Sequence, residues 1–418
     1  MLILIEPSDY ALRNSGDTAM LEVAITRLSA LFPDASINVL SDVPGSFPRW
    51  APHVQPIAAT GRHAYIAQMM RGRAEGKQPI VRRGRAGRWL QRLAGAPAGP
   101  RSNEIQAFID TVSRADLVIA TGMGGITDAF PEYTFGLLST FQLAIRYGAV
   151  TGMMGQGIGP LADADLVAHA KEILPKVDLI ALREERAGKP LLCALGVSAD
   201  RIVTTGDDAI EMAYERRAGK IGYGLGINLR AAPYAGVDGP IVARVREAVQ
   251  HAARRLGVPV LPVPISRVQG EADHVTIREL LAGHDGTPDG GASIDTPRKA
   301  IDQITMCRTV VTGSYHAGVF ALAVGVPVIG LAQSQYYIDK FRGLAHQFGV
   351  GCDVILLNTP DAESAIVAAI ERGWHSAEAV RPKLLAAAAR QVESGRDAYR
   401  SLYNLVLTRR RRWWSRSQ

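Results

Sequence analysis

Short runs of Val, Ile and Leu closed by glycine alternate along this chain with longer stretches whose apolar residues recur at helical spacing. Runs at Leu2 to Ile5, Ser36 to Leu40, Leu117 to Ala120, Val150 to Met154, Leu179 to Leu182 and Ile202 to Thr204 predict buried strands. Asp17 to Leu31 and Pro131 to Tyr147 are among the helices between them. The array restarts at Gly224 to Asn228 and continues through Val258 to Val263, Ser293 to Ile294, Thr309 to Thr312, Val326 to Leu331 and Val354 to Leu357. Strands that are apolar at every position are buried on both faces, the condition of a parallel sheet flanked by helices. Two successive arrays therefore predict a protein of two α/β domains, residues 1–215 and 223–375, joined through ERRAGKIG at 215–222. Ligands of open α/β sheets bind beyond the carboxyl ends of the strands, so the expected site is the interdomain cleft. Residues 376–418 hold a predicted helix, Pro382 to Val406, that closes or braces the chain, and a basic tail.

Size and composition agree with this reading, since 418 residues exceed one ordinary core and a 47% hydrophobic content is that of a globular protein. MLILIEPSDY reads as a first strand and not a signal peptide, because no basic segment precedes it. No apolar run reaches the roughly 18 residues of a membrane span, so a cytoplasmic location is expected. Cys193, Cys307 and Cys352 lack paired spacing, which predicts core thiols and neither a disulfide framework nor a zinc or other metal site. The charge is local: residues 71–101 hold nine Lys or Arg against one acid, and RRRRWWSRSQ from Arg409 holds five Arg and no acid. The rest of this +7 chain is thus net acidic, and without interleaved aromatics it speaks against nucleic acid binding. The first basic segment lacks apolar periodicity and is expected to be an insertion in the first domain. The second combines charge that attracts anionic lipid, at about 1 kcal/mol per residue, with two interfacial tryptophans. Peripheral contact with the inner face of the plasma membrane is one expectation for it, and a solvated tail is the other.

Candidate chemistry gathers at the predicted strand ends. RNSGDTAM, with Asn14, Gly16 and Asp17, follows a strand and opens a helix, which suits either an anion on the helix N–H groups or a tight turn capped by Asp17. ATGMGGITDAF runs a strand into Gly124 and Gly125, and MMGQGIGPL puts Gln156 at another glycine-rich end, where a ligand or a neighbouring backbone can come close. Neither is a GxGxxG fingerprint, so a nicotinamide cofactor is not expected. Arg183 in LIALREE, Asp208 in TTGDDA and Arg230 in GINLR occupy corresponding edges. An arginine fork there binds a carboxylate or phosphate, or pairs across the cleft, as Arg183 with Asp208 would. His316, in VVTGSYHAGVFALAVGVPVIGL, sits where a strand hands over to a helix. The helix N-terminus disfavours the imidazolium and a bound anion favours it, which leaves a group able to exchange protons near neutrality.

Taken in order from about residue 5 to residue 350, these segments resemble the polysaccharide pyruvyl transferase family. The resemblance rests on Asn14-Ser-Gly16-Asp17, GMGG, GQGIGPL, LRE with a later LGV at Leu195 to Val197, TTGDDA, GINLR, the histidine turn with FALAVGVPVIGL, and YYIDKF. It implies a GT-B-like pair of Rossmann-like domains. It also implies transfer of the carboxyvinyl carbons of phosphoenolpyruvate onto two hydroxyls of one sugar in a surface-polysaccharide precursor, with no cofactor or metal. His316 would then be the general acid or base, and Arg230, Ser314, Tyr315 and Lys340 would hold the donor. Asn14, Gly16, Asp17, Gly124, Gly125, Gln156, Arg183 and Asp208 would line the cleft around a sugar or lipid-linked oligosaccharide acceptor. One departure stands out. The family commonly carries Arg-x-His at this turn, and this chain has Ser314-Tyr315-His316. Loss of a charged contact typically costs on the order of 1.5 to 3 kcal/mol, so either another cation, Lys340 or Arg342, compensates or the donor differs. The competing readings are a GT-B-like glycosyltransferase using a sugar nucleotide and an inactive scaffold in polysaccharide assembly, because a fold does not fix chemistry.

Overall fold

The structure, a computed structural model, describes residues 1–48, 53–74, 100–283 and 289–414. Most of the basic segment at 71–101 and the last four residues of the basic tail lie outside the described residues. Twelve described strands form two sheets, all of their pairings parallel. The first sheet holds β1 (Leu2–Glu6), β2 (Ser36–Ser41), β3 (Val54–Ala58), β4 (Leu117–Ala120), β5 (Val150–Gln156), β6 (Leu179–Leu182) and β7 (Ile202–Thr204), in the order β3-β2-β1-β4-β5-β6-β7. The second holds β8 (Gly224–Asn228), β9 (Val260–Pro262), β10 (Cys307–Thr312), β11 (Val328–Ala332) and β12 (Cys352–Leu356), in the order β12-β11-β10-β8-β9. Strand order reverses between β1 and β4 in the first sheet and between β8 and β10 in the second. Such switch points open the crevice in which α/β proteins hold ligands. Glu6 lies level with Ala120 at one of them, and Thr312 level with Asn228 at the other.

The two halves share a core. Met20 and Val23 of helix Ser15–Leu31, Ile210 and Ala213 of helix Ala209–Glu215, and Phe320 of helix Tyr315–Ala323 belong to one buried cluster. That seam fixes the histidine-bearing helix against the helix that follows β1. The last helix, Ala362–Trp414, is 53 residues long, which at 1.5 Å per residue is roughly 80 Å. Its start buries Ile366 and Ile370 against the second sheet, its middle puts Leu384 and Ala388 into the shared core, and Tyr399, Leu402 and Val406 pack beneath the first sheet. A buried ionic knot bolts it down. Arg27 Nη1 reaches Asp208 Oδ1 at 2.6 Å, Arg27 Nε donates to Glu211 at 2.7 Å, and the Tyr399 hydroxyl donates to Asp208 Oδ2 at 2.9 Å.

Several expectations are corrected. β3 was not expected, because VQPIA carries a proline that can sit only where no ladder N–H is needed, and the strand is indeed at the sheet edge. Ser293 to Ile294 is turn, closed by Ile294 N donating to Gly291 O at 2.9 Å, and not a strand. The final helix begins twenty residues before Pro382 and passes through it. Proline suits a first helical turn, which is why the sequence pointed there. Here Arg381 donates to Val324 O at 2.8 Å and pins the helix beside the proline. Cys193 is exposed on helix Gly188–Ala194, so it is not a core thiol, whereas Cys307 is buried.

Candidate active site

β10 ends at Thr312, and Ser314 takes the N-cap position of helix Tyr315–Ala323 with an extended backbone, φ −95° and ψ 124°. Its hydroxyl does not cap the helix, while its own N–H donates to Thr312 Oγ1 at 2.8 Å. The first N–H groups of this helix therefore face the crevice without a side-chain partner, the arrangement that binds anions. His316, in that first turn, is 8% exposed. Its Nε2 lies 3.6 Å from Asp207 Oδ2, close enough for charge attraction and too long for a hydrogen bond, and neither atom forms a hydrogen bond with a described residue. Burial pushes the Asp207 carboxyl up, but His316, Arg183 and the Ala209 N–H outweigh it and hold the group below its ordinary value. Asp207 thus faces the ring ionised.

Gly16 supplies the opposite wall. A Cβ there would fall 2.0 Å from His316 Cγ and 2.1 Å from Nδ1, so only glycine leaves room for the ring. Asn14 holds this turn, its Oδ1 accepting from Gly16 N at 2.9 Å. Across the cleft, Ser15 N donates to Ile265 O at 2.9 Å and Arg267 N to Arg13 O at 2.8 Å. Asp17 follows, half-buried, its carboxyl pushed up by burial and pulled back by His316.

Two cations remain without full partners. Arg183, just past β6, is buried, with Nη1 3.7 Å from Asp207 Oδ2, its guanidinium 4.1 Å from the Tyr315 ring centre, and Nη2 unbonded. Gly124 and Gly157 make space for it, since a Cβ on either would come within 2.4 Å and 2.6 Å of its guanidinium. Lys340 forms no ion pair or hydrogen bond with a described residue, and its Nζ lies 4.0 Å from the Tyr336 ring centre, where burial and Arg183 push its pKa well below the usual lysine value. Arg342 is exposed. Arg230 is committed: Nε stands 3.1 Å from Asp273 Oδ1, while Asp273 Oδ2 also accepts from Asn228, Ile265 and Ser266 at 2.8 Å.

A sequence model of the polysaccharide pyruvyl transferase family matches residues 14–335, which span this crevice from Asn14 to the start of the helix carrying Lys340. The chain belongs to the polysaccharide pyruvyl transferase family. It is therefore placed among transferases. No curated protein matches it. Among solved structures, the family member is similar to Os79 from O. sativa in complex with U2F and trichothecene, at 11% identity and TM-score 0.55 over 97% of this chain and all (100%) of that one. It is also similar to S. aureus MnaA bound to UDP, at 12% identity and TM-score 0.51 over 93% of each chain. Anabaena HepE in complex with UDP is similar at 12% identity and TM-score 0.50, over 96% of this chain and 99% of that one. These likenesses establish a GT-B-like fold of two Rossmann-like domains.

Within this pyruvyl transferase family fold, the predicted residues separate into groups. Gly16, Asp17, Gly124, Arg183, Tyr315, His316 and Lys340 come together. Asn14 positions the turn, and Arg230 is buried beside it in its ion pair. Gln156 spans to Thr121, donating to its carbonyl at 2.8 Å, and leaves Oε1 buried without a partner. Gly125 lies against the Tyr133 ring. Asp208 does not face the cleft, because Arg27 and Tyr399 hold its carboxylate, so Arg183 pairs with Asp207 and not with Asp208. Adjacent aspartates in TTGDDA are equivalent in sequence, and only the turn after β7 decides between them. Asp273, Tyr133 and Tyr336 went unnoticed. Asp273 opens an ordinary helix, and the Tyr336 hydroxyl, which donates to Gly124 O at 2.7 Å, acts across the two halves.

Proposed function

We propose that the protein is a polysaccharide pyruvyl transferase in activity as well as in family, moving the carboxyvinyl carbons of phosphoenolpyruvate onto two hydroxyls of one sugar of a surface-polysaccharide precursor. The observation that carries this reading is the conjunction at His316: an imidazole paired with an ionised Asp207, at an open helix N-terminus, beside the unbonded Arg183 Nη2 and Lys340 Nζ. The donor bears a phosphate and a carboxylate, which these cations and N–H groups match in sign and number. Lys340 and Arg183 then serve where Ser314 replaces the family's usual arginine.

In the reaction, imidazolium His316 gives its proton to the methylene carbon of the enol, leaving positive charge at the carbon that bears the phosphate. An acceptor hydroxyl bonds to that carbon and loses its proton to the imidazole. The imidazole gives that proton to the phosphate as its bond to the carbon breaks, and a second hydroxyl of the same sugar bonds to the carbon and returns its proton to the imidazole, so one phosphoenolpyruvate and one diol give one ketal and one phosphate. Asp207 keeps the ring oriented and stabilises its charged form through these transfers.

A second reading, transfer from a sugar nucleotide, draws on the UDP held by similar folds. Ligand-dependent melting separates the two. Stabilisation by phosphoenolpyruvate and not by a nucleoside diphosphate supports pyruvyl transfer, and the opposite pattern supports the glycosyltransferase. A His316→Ala protein that releases phosphate at the wild-type rate removes the histidine from the mechanism.

A further inference from the structure

The first half of the cleft carries a second polar cluster that donor chemistry does not use. Glu6, the last residue of β1, is fully buried; its Oε1 accepts from Arg62 Nε at 2.9 Å and from the Tyr10 hydroxyl at 2.5 Å, and its Oε2 has no partner. Arg62 Nη2 stands 2.6 Å from the same Oε1 in the ion pair, and the Tyr133 hydroxyl and Gln156 Oε1 are buried without a hydrogen bond. Burial, with Glu6 next in weight, pushes the Tyr133 phenol up, and Asp17 is close enough to add to the effect. The cluster borders the site through the Tyr133 ring, which lies against Gly125, the neighbour of the Gly124 that faces Arg183 and Lys340. Asp17, Tyr10 and Tyr133 are only half-buried, so they form its rim.

Buried polar atoms without partners are rare and costly, and several together mark a place where something else completes the bonding. The cluster sets two orphaned acceptors, Glu6 Oε2 and Gln156 Oε1, beside the Tyr133 hydroxyl, which can donate or accept, and its carboxylate and guanidinium cancel. An anion gains little from such a lining, whereas a polyol does, because each hydroxyl both donates and accepts. The tyrosine rings supply flat apolar faces of the kind that pack against the C–H face of a sugar ring. Resting on the pyruvyl-transfer reading, we propose that Glu6, Arg62, Tyr133 and Gln156 form a pyranose-binding subsite that holds the acceptor sugar, with its two ketal-forming hydroxyls turned toward Asp17 and His316.

The test is saturation-transfer NMR on the full chain with the methyl glycosides of glucose, galactose and mannose, in wild type and in Tyr133→Phe. That substitution removes a hydroxyl with no protein partner, so the melting temperature should hold. Wild type is expected to transfer saturation to the ring protons of at least one glycoside, and Tyr133→Phe to weaken that binding roughly tenfold, the scale of one lost hydrogen bond. Stabilisation by phosphoenolpyruvate should be the same in both proteins. No transfer to any glycoside, or equal affinity in Tyr133→Phe, overturns the subsite and leaves the cluster to ordered water. The donor reading fails separately, by the absence of stabilisation with phosphoenolpyruvate while glycoside binding persists.

Discussion

Gly16→Ala isolates the contact on which the histidine's position depends. The new methyl would sit 2.0 Å from His316 Cγ, where nonbonded carbons keep about 3.5 to 4.0 Å, so the imidazole must withdraw by roughly 1.5 Å. Retreat is confined by Asp207 and Tyr315, so the ring leaves its place beside the donor cations. A misplacement of about 1 Å at a reacting group costs on the order of a hundredfold in rate, or about 2.7 kcal/mol of barrier. Overpacking costs about 1 to 3 kcal/mol of stability. Alanine in place of glycine in a helix returns up to about 1 kcal/mol of this, and the Asn14 cap is untouched. The assay is phosphate release from phosphoenolpyruvate at saturating acceptor, with the melting temperature as control. We expect kcat to fall at least about a hundredfold in a protein that still folds, and Gly16→Ala to add nothing once His316→Ala is present. Wild-type kcat in Gly16→Ala, or full additivity of the two substitutions, would refute the placement of the ring.

Lys340→Met should weaken phosphoenolpyruvate binding by roughly tenfold to a hundredfold, as for a lost charged hydrogen bond, with an unchanged Kd counting against its role. Burial and Arg183 depress the Lys340 pKa in the free protein, and a bound anion raises it again. Binding therefore takes up protons and weakens as pH rises above the depressed value; calorimetry in buffers of different ionisation enthalpy should show uptake in wild type and none in Lys340→Met. Arg27→Met leaves the buried Asp208 carboxylate without its cation, while Glu211 keeps Arg396, and should lower stability by about 3 to 5 kcal/mol in urea melts. A loss below about 1 kcal/mol would show that the knot does not hold the final helix. Truncation after Arg410 keeps the Arg409 ion pair with Asp178, and should lower recovery on anionic vesicles; unchanged partitioning argues for a solvated tail.

The alternation of strands and helices was legible because strands such as β4 and β6 are buried on both faces and spell uninterrupted apolar runs. β3 escaped because an edge strand need not be apolar throughout and can carry Pro56. The histidine turn could be read locally, since strand, glycine and helix are contiguous there. Its surroundings could not. Gly16, Asp207 and Lys340 approach His316 from elements far apart in the chain, and no local pattern marks the twin aspartate that faces it. Charge partners that work only through tertiary contact, such as Asp273 with Arg230, leave no trace in sequence spacing.

In pyruvyl transfer the enol carbons of phosphoenolpyruvate end on a sugar. Phosphoenolpyruvate isotope-labelled at its phosphate-bearing carbon, incubated with the protein and a lipid-linked oligosaccharide fraction, tests this directly by carbon NMR. A quaternary ketal carbon on the glycan is expected, formed mole for mole with inorganic phosphate and absent with His316→Ala. Label that remains in phosphoenolpyruvate while the same fraction is glycosylated from a sugar nucleotide would contradict it.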